Sequence, residues 1–328
     1  MHLTDREKRA FSFSRALKAA ADGGLKNGLE AEILREATEE NGNLFTPTEW
    51  DMPLHLLATR DLTAGVAGAA GGVGTDSQAL EDVLRPVSAT GRAGVQFVSA
   101  QGGNVAIPKI ATSSTAEWLT AEGGALTPSD TVMTEKTATP HWVGSLKVVS
   151  HQMVKQIVDP DLLGLDMLRE VASTIDAAVL AGSGASGEPQ GILGATDVGT
   201  QAGSSLAWAG VSNMIKLSAE ANGEPSAFIG PPAVRDLLGQ REKAAGSGLI
   251  WSDGRIDGLP AIATTSAPAA TLFCGDWSQV VVVVWDSLRV AVDDSTFFAD
   301  GRYQFRVLIG VDVVIRSSAA FCTSSSIT

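Results

Sequence analysis

The stretch Asp161–Gly194, DLLGLDMLREVASTIDAAVLAGSGASGEPQGILG, constrains the fold more than any other part of this 328-residue chain. Leu165, Leu168, Val171 or Ala172, Ile175 and Ala178 or Val179 recur three or four residues apart, the spacing of one face of an α-helix. Asp159, Pro160 and Asp161 supply a turn, a fixed φ and an N-cap oxygen at its start. Gly182 and Gly184 allow a positive-φ exit at its end. One long helix closed by glycines is therefore the expected centre of the fold.

The segment after the helix contains G-x-G-x-x-G at Gly182, Gly184 and Gly187, the spacing of a dinucleotide-binding turn. That turn works by following a strand and opening a helix whose N-terminal amides meet a pyrophosphate; here it closes a helix and runs into Pro189. A hydrolase elbow, G-x-S-x-G, fails as well, because Gly187 directly follows Ser186. The reading that remains is a glycine-rich hinge.

Composition removes further classes. A hydrophobic content of 44% can bury a sizeable core, and the length suits about two domains. Lys plus Arg number 24 against 37 Asp plus Glu, a net charge of −13, so no basic surplus exists to neutralise phosphates. Such a surface can lie near packed nucleic acid without adhering to it. Cys274 and Cys322 have no C-x-x-C partner and read as buried small hydrophobes. His2, His55, His141 and His151 form no H-E-x-x-H, so no metal site is expected. No apolar run approaches the ~20 residues that span a bilayer. The charged start, MHLTDREKRA, is not a signal peptide, which gives the cytoplasm of the producing cell as the expected compartment.

Along the chain, Asp5–Ala21 and Leu29–Glu40 read as short amphipathic helices, an ordinary solvated pair on their own pattern. Leu54–Thr75, rich in Gly and Ala, holds no structure through its own side chains. Leu80, Val83 and Leu84 form a short helical face before Pro86. Val95–Val98 and Asn104–Pro108 alternate as strands, and Lys109–Val149 continues as β, with turns at Glu122–Gly124 and Pro128–Asp130. After the central helix, Val211–Ala221 reads as a helix facing inward through Met214, Ile215 and Leu217 or Ser218. Pro225–Gly230 reads as a strand and Pro231–Ala244 as a helix. Val280–Trp285, Leu288–Val292 and Phe305–Ile315 are strands; the last alternates strictly, placing Arg306, Leu308, Gly310, Asp312, Val314 and Arg316 on the face away from the core. The sum is an α+β fold.

A long helix followed by GSGASGEPQGIL resembles the signature of tailed-phage major capsid proteins, the Hong Kong 97 fold family. Other segments agree in order: Ala121–Asp130 (AEGGALTPSD), His141-Trp142-Val143 ahead of Ser150-His151-Gln152, Gly258-Leu259-Pro260, Gly275–Gln279 (GDWSQ) and Ser317–Phe321 (SSAAF). The resemblance implies an N-terminal helical segment over 1–50, a candidate scaffolding or cleavable region, then an N-terminal arm over 51–79. It implies a peripheral domain over 80–104 and 147–200 around a long spine helix, and an extended β-hairpin loop over 105–146 with Trp118 and Leu119 as candidate anchors on a neighbour. The alternative for that hairpin is packing on its own sheet. An axial domain over 201–300, its tip near Ala245–Gly258, and C-terminal strands of the peripheral domain over 301–328 complete the division.

The implied function is self-assembly into an icosahedral shell around double-stranded phage DNA, through pentamers and hexamers. Scaffold, prohead protease, portal and decoration proteins are the implied partners, without sequence-specific DNA binding or membrane contact. The implied place is the virion capsid, assembled in the host bacterial cytoplasm. No catalytic, cofactor-binding or metal-binding residue is assigned, and no cofactor. An encapsulin-like nanocompartment shell and, more distantly, a peptidase are the alternatives. Some family members weld subunits through a loop lysine; Thr127 stands at the matching place here, so covalent joining is not expected.

Overall fold

The computed structural model describes residues 16, 19–20, 25–26, 28–40, 44–52, 88–100, 102–112, 114–118, 129–156 and 161–328. The helix expected at Asp5–Ala21, the arm at 54–75, the short face Leu80–Leu84, the turn at Glu122–Gly124, and Leu119, Thr127, Pro128, Asp159 and Pro160 lie wholly or mostly outside them. In chain order the helices are α1 (Leu29–Glu40), α2 (Ala89–Ala93), α3 (His151–Gln156), α4 (Asp161–Ala181), α5 (Trp208–Glu220) and α6 (Pro232–Gln240). The strands of the first half are β1 (Glu49–Met52), β2 (Gln96–Ala100), β3 (Val105–Thr112), β4 (Val132–Ala138), β5 (His141–Ser150) and β6 (Gly199–Ala202). Those of the second half are β7 (Ala227–Gly230), β8 (Arg255–Ile256), β9 (Leu259–Ala263), β10 (Leu272–Gly275), β11 (Val280–Asp293), β12 (Arg302–Ile315) and β13 (Phe321–Ser325).

Helix α4 begins and ends where the spacing predicts. Its buried residues are Met167, Val171, Asp176, Ala178, Val179 and Leu180, with Leu168 and Ile175 half-buried, so the expected stripe faces inward at Val171, Ala178 and Val179 and is widened by Met167, Asp176 and Leu180. The side chains of Asp161 and Leu165 lie outside the described set.

The chain divides into two compact units, one of Met1–Ser88, Trp142–Ile175 and Trp285–Gly310, the other of Ala89–His141, Asp176–Val284 and Val311–Thr328. Within the first, strands run in the order β1-β11-β12-β5. One side of β5 meets the α4 segment of that unit: Ser145 Oγ donates to Glu170 Oε2 at 2.8 Å, and Lys147 Nζ pairs with Asp166. Gly144 is required where β5 passes β12, because a Cβ there would sit 2.5 Å from Val307 O. Trp50, Trp285, Leu288, Val290, Phe305 and Val307 are buried in this unit.

The second unit carries a six-stranded sheet of order β6-β13-β10-β7-β9-β8. Its core gathers Val211 and Met214 of α5, Phe228 of β7, Val234 and Leu238 of α6, and Leu272 and Cys274 of β10. Cys274 stands directly opposite Cys322 in the β10–β13 register, a pairing their 48-residue separation in sequence hides. Burial raises both thiols, Cys322 to about 11, so both stay protonated and pack as small apolar groups. Asp253-Gly254 and Asp257-Gly258 adopt positive φ in consecutive tight turns, and the second closes the β8–β9 hairpin.

Three elements depart from the sequence expectation. Strand β12 keeps its alternation only near Phe305–Ile309; Asp312 and Val314, expected on the outward face, are 7% and 6% exposed. Both faces of that end are covered, so period two loses its meaning there. Helix α6 stops at Gln240, because Arg241 turns extended and the chain folds back to bury Ile250 and Trp251. Ile250 N donates to Arg241 O and Trp251 N to Leu238 O, which closes the loop. The segment 301–328 is divided between sheets, since β12 neighbours β11 and β5 while β13 lies between β6 and β10.

Candidate functional site

Strands β3 and β4 form a two-stranded sheet of their own, in antiparallel register from Val105↔Ala138 to Thr112↔Val132. An isolated two-stranded hairpin is marginal in water, and a core on one face is what ordinarily stabilises it. Here β4 is exposed from Val132 to Thr137, and on β3 Ala106, Pro108 and Ile110 are exposed while Val105, Ile107 and Lys109 are half-buried. Ile110 and Met133 stand opposite each other in register, 55% and 70% exposed, and Trp118 beyond them is 97% exposed. Ser129 Oγ accepts from Thr115 N at 2.9 Å, drawing the two sides together near that end.

The root of the hairpin is held firmly. Lys136 Nζ donates to Ile315 O at 2.6 Å, and Asp312 Oδ2 accepts from Thr139 N at 2.8 Å. His141 Nδ1 lies 3.1 Å from Gly187 O, and its Nε2 is 3.9 Å from Asp312. Burial, then the nearby Lys109 ammonium, hold Lys136 below its ordinary value of 10.5, against an opposing effect of Asp197. A groove of about 480 Å³ opens at this root, lined by Lys136, His141, Ser183, Glu188, Gln190 and Asp312 among others. Both signs of charge face it.

The glycine-rich segment forms one wall of that groove, and each glycine has its own reason. Gly184 and Gly187 take φ of +66° and +83°, which suits residues without a Cβ. Gly182 and Gly191 have ordinary φ but no room: a Cβ on Gly182 would lie 2.2 Å from Pro189 O, and one on Gly191 2.4 Å from Gly182 N. Gly191 N donates to Gly182 O at 2.9 Å, so the segment returns to the end of α4 as a closed loop. Glu188 ties it internally, accepting from Ser183 N and Oγ. Of the two glycines expected to allow a positive-φ exit, Gly184 makes it, and Gly182 is a point of close backbone contact.

In the first unit, β5 turns Trp142, Leu146 and Val148 outward, 57%, 56% and 43% exposed, opposite the side that carries Ser145 and Lys147. Among the described residues no three of His, Cys, Asp or Glu gather as a metal ion requires, and no helix is long and apolar enough to cross a membrane. The exposed apolar groups and the braced hairpin are suited to contact between proteins.

The phage capsid family model matches residues 80–325. The chain belongs to the phage capsid family. Its glycine loop, its hairpin and the β10–β13 sheet all fall inside the matched residues. The major capsid protein of Halomonas phage phiHAP-1 is 26% identical over 330 residues, which is 97% of this chain and 55% of that protein. The capsid-family chain therefore spans about half the length of that curated relative. The capsid of a native GTA particle computed with C5 symmetry superposes with a TM-score of 0.62 at 17% identity, covering 82% of this chain and all of that one. A chain of Mycobacterium phage Adephagia gives 0.61 at 16% identity, covering 79% and 96%. The fold is of the Hong Kong 97 type.

Sequence reasoning found the hairpin and the glycine loop, and Trp118, which the resemblance offers with Leu119 as a candidate anchor on a neighbour, is exposed. It missed Lys136, Asp312 and the ring of His141 as root contacts, because their partners lie 179, 173 and 46 residues away.

Proposed function

We propose that the chain is a major capsid protein, a structural subunit that self-associates into the icosahedral shell of a tailed bacteriophage around double-stranded DNA. The observation that carries this is the β3–β4 hairpin, anchored at its root yet bearing Ile110, Met133 and Trp118 in the open. A hairpin of this kind gains stability when a neighbouring subunit covers it, and identical contacts repeated around pentamers and hexamers sum to a stable shell. The subunit performs no chemical step.

In this reading the β1-β11-β12-β5 sheet and the long helix belong to the peripheral domain. The six-stranded sheet with α5 and α6 is the axial domain, and residues 105–146 are the extended loop. Assembly takes place in the host cytoplasm, with scaffold, prohead protease, portal and decoration proteins as partners, and the DNA is enclosed without being read. A net charge of −13 fits an inner surface that does not hold its cargo. Negative-stain electron microscopy of the purified chain, at raised concentration and with scaffold, tests the reading by the presence of closed shells or capsomers.

A further inference from the structure

The N-terminal segment is woven into the first unit by three kinds of contact. Strand β1 pairs residue by residue with Leu288–Ala291 of β11 and forms the end of the β1-β11-β12-β5 order. Trp50, on that strand, is 1% exposed. Helix α1 turns Ala31, Ile33, Leu34 and Ala37 into the same unit, all buried. The two elements are then tied through one hydroxyl: Thr38 Oγ donates to Leu34 O at 2.6 Å and accepts from Asp51 N at 3.0 Å. Leu25 N donates to Pro47 O at 2.9 Å, which closes the segment on itself. Charge fixes the edge, with Arg289 3.5 Å from the buried Asp51 carboxylate and Arg306 3.4 Å from Glu49.

A segment made to be discarded has to leave without opening the body it served. Removing residues 25–52 would do the opposite. It would strip β11 of its hydrogen-bond partner over Leu288–Ala291 and leave a bare strand edge, the feature through which sheets pair wrongly. It would also take away Trp50 and the apolar side of α1, and leave Arg289 without Asp51.

We infer that residues 25–52 are a permanent strap of the mature subunit, closing the edge of the β11 strand, and do not belong to any scaffolding segment removed in maturation. This differs from the boundary that family resemblance implies, which places the whole of 1–50 in a candidate cleavable region.

The strap is held by packing within one chain, so its first test needs no shell. In the unassembled full-length chain, hydrogen exchange at Ala31–Thr38 and Trp50–Met52 should be slowed to within about tenfold of Val290–Val292 in β11. Exchange in the strap more than about tenfold faster than in β11 overturns the inference, whatever the chain assembles into. Where particles form, intact mass of their subunits gives the second test. A subunit beginning at or before Leu25 is expected, and one beginning beyond Leu25 overturns the strap while leaving the shell reading intact. Failure to form particles, with the strap protected, counts against the shell reading alone.

Discussion

Asp176, near the end of the long helix, accepts a hydrogen bond from the backbone N–H of Ala89 at 2.7 Å. The hydroxyl of Thr90 donates to the same carboxylate, and Asp176 and Thr90 are 1% and 0% exposed. Ala89 opens helix α2, whose first N–H groups have no partner inside the helix, so a side chain 87 residues away does the work of an N-cap. Asp176→Ala removes that acceptor from a buried site. The expected loss is about 1–3 kcal/mol of unfolding free energy, with Asp176→Asn losing less because an amide oxygen remains. Denaturant unfolding of the unassembled chain measures it.

The contrast between α4 and the cap that its Asp176 gives α2 explains what the sequence could tell. The helix was legible because its signals are local: apolar residues at helical spacing and glycines at the exit. Asp176 was not, because nothing near it in sequence marks its partners. The same holds for Asp312, whose position in an alternating strand predicted an outward side chain and whose contact with Thr139 turns it inward. The Asp-Gly turns at 253–254 and 257–258 are a local signal that the reading of 245–258 as a loop left unused, and the second closes the β8–β9 hairpin. Packing on both faces, and pairings such as Cys274 with Cys322, enter only with the fold.

The glycine loop separates two reasons for glycine. Gly187 sits at φ +83° with open space where a Cβ would point, so Gly187→Ala meets only the left-handed backbone penalty of about 1–2 kcal/mol. Gly191→Ala drives a methyl against main-chain atoms of Gly182 and Ala178, which cannot rotate away. Its melting temperature should fall below that of Gly187→Ala, and equal melting of the two variants would refute the close-contact account.

Glu188 gives the loop a dependence on acid. Hydrogen bonds from Ser183 hold its carboxyl below the ordinary value of 4.5. A group whose folded value is depressed contributes stability above its unfolded value and loses it as pH falls through the folded value. The melting difference between the chain and its Glu188→Gln variant should therefore shrink as pH drops from about 6 to about 3. A difference that grows on acidification would reverse the sign and reject this role for Glu188.

Subunits should remain covalently separate. Thr127 lacks the amine that welding requires, and Lys136 is engaged with Ile315 O at the hairpin root. Boiled samples of particles in detergent and reductant should run as a single monomer band. Ladders of pentamer and hexamer would reveal a covalent linkage and overturn the expectation.

Self-association is expected to be driven by the exposed apolar groups of the braced hairpin. Particle formation by the chain and by an Ile110→Ser, Met133→Ser double variant, followed by light scattering and electron microscopy beside thermal melting, addresses this most directly. The chain should give capsomers or closed shells, and the variant should melt at the same temperature yet remain unassembled. Compact monomers from the unaltered chain at high concentration, with and without scaffold, or normal shells from the variant, would contradict it.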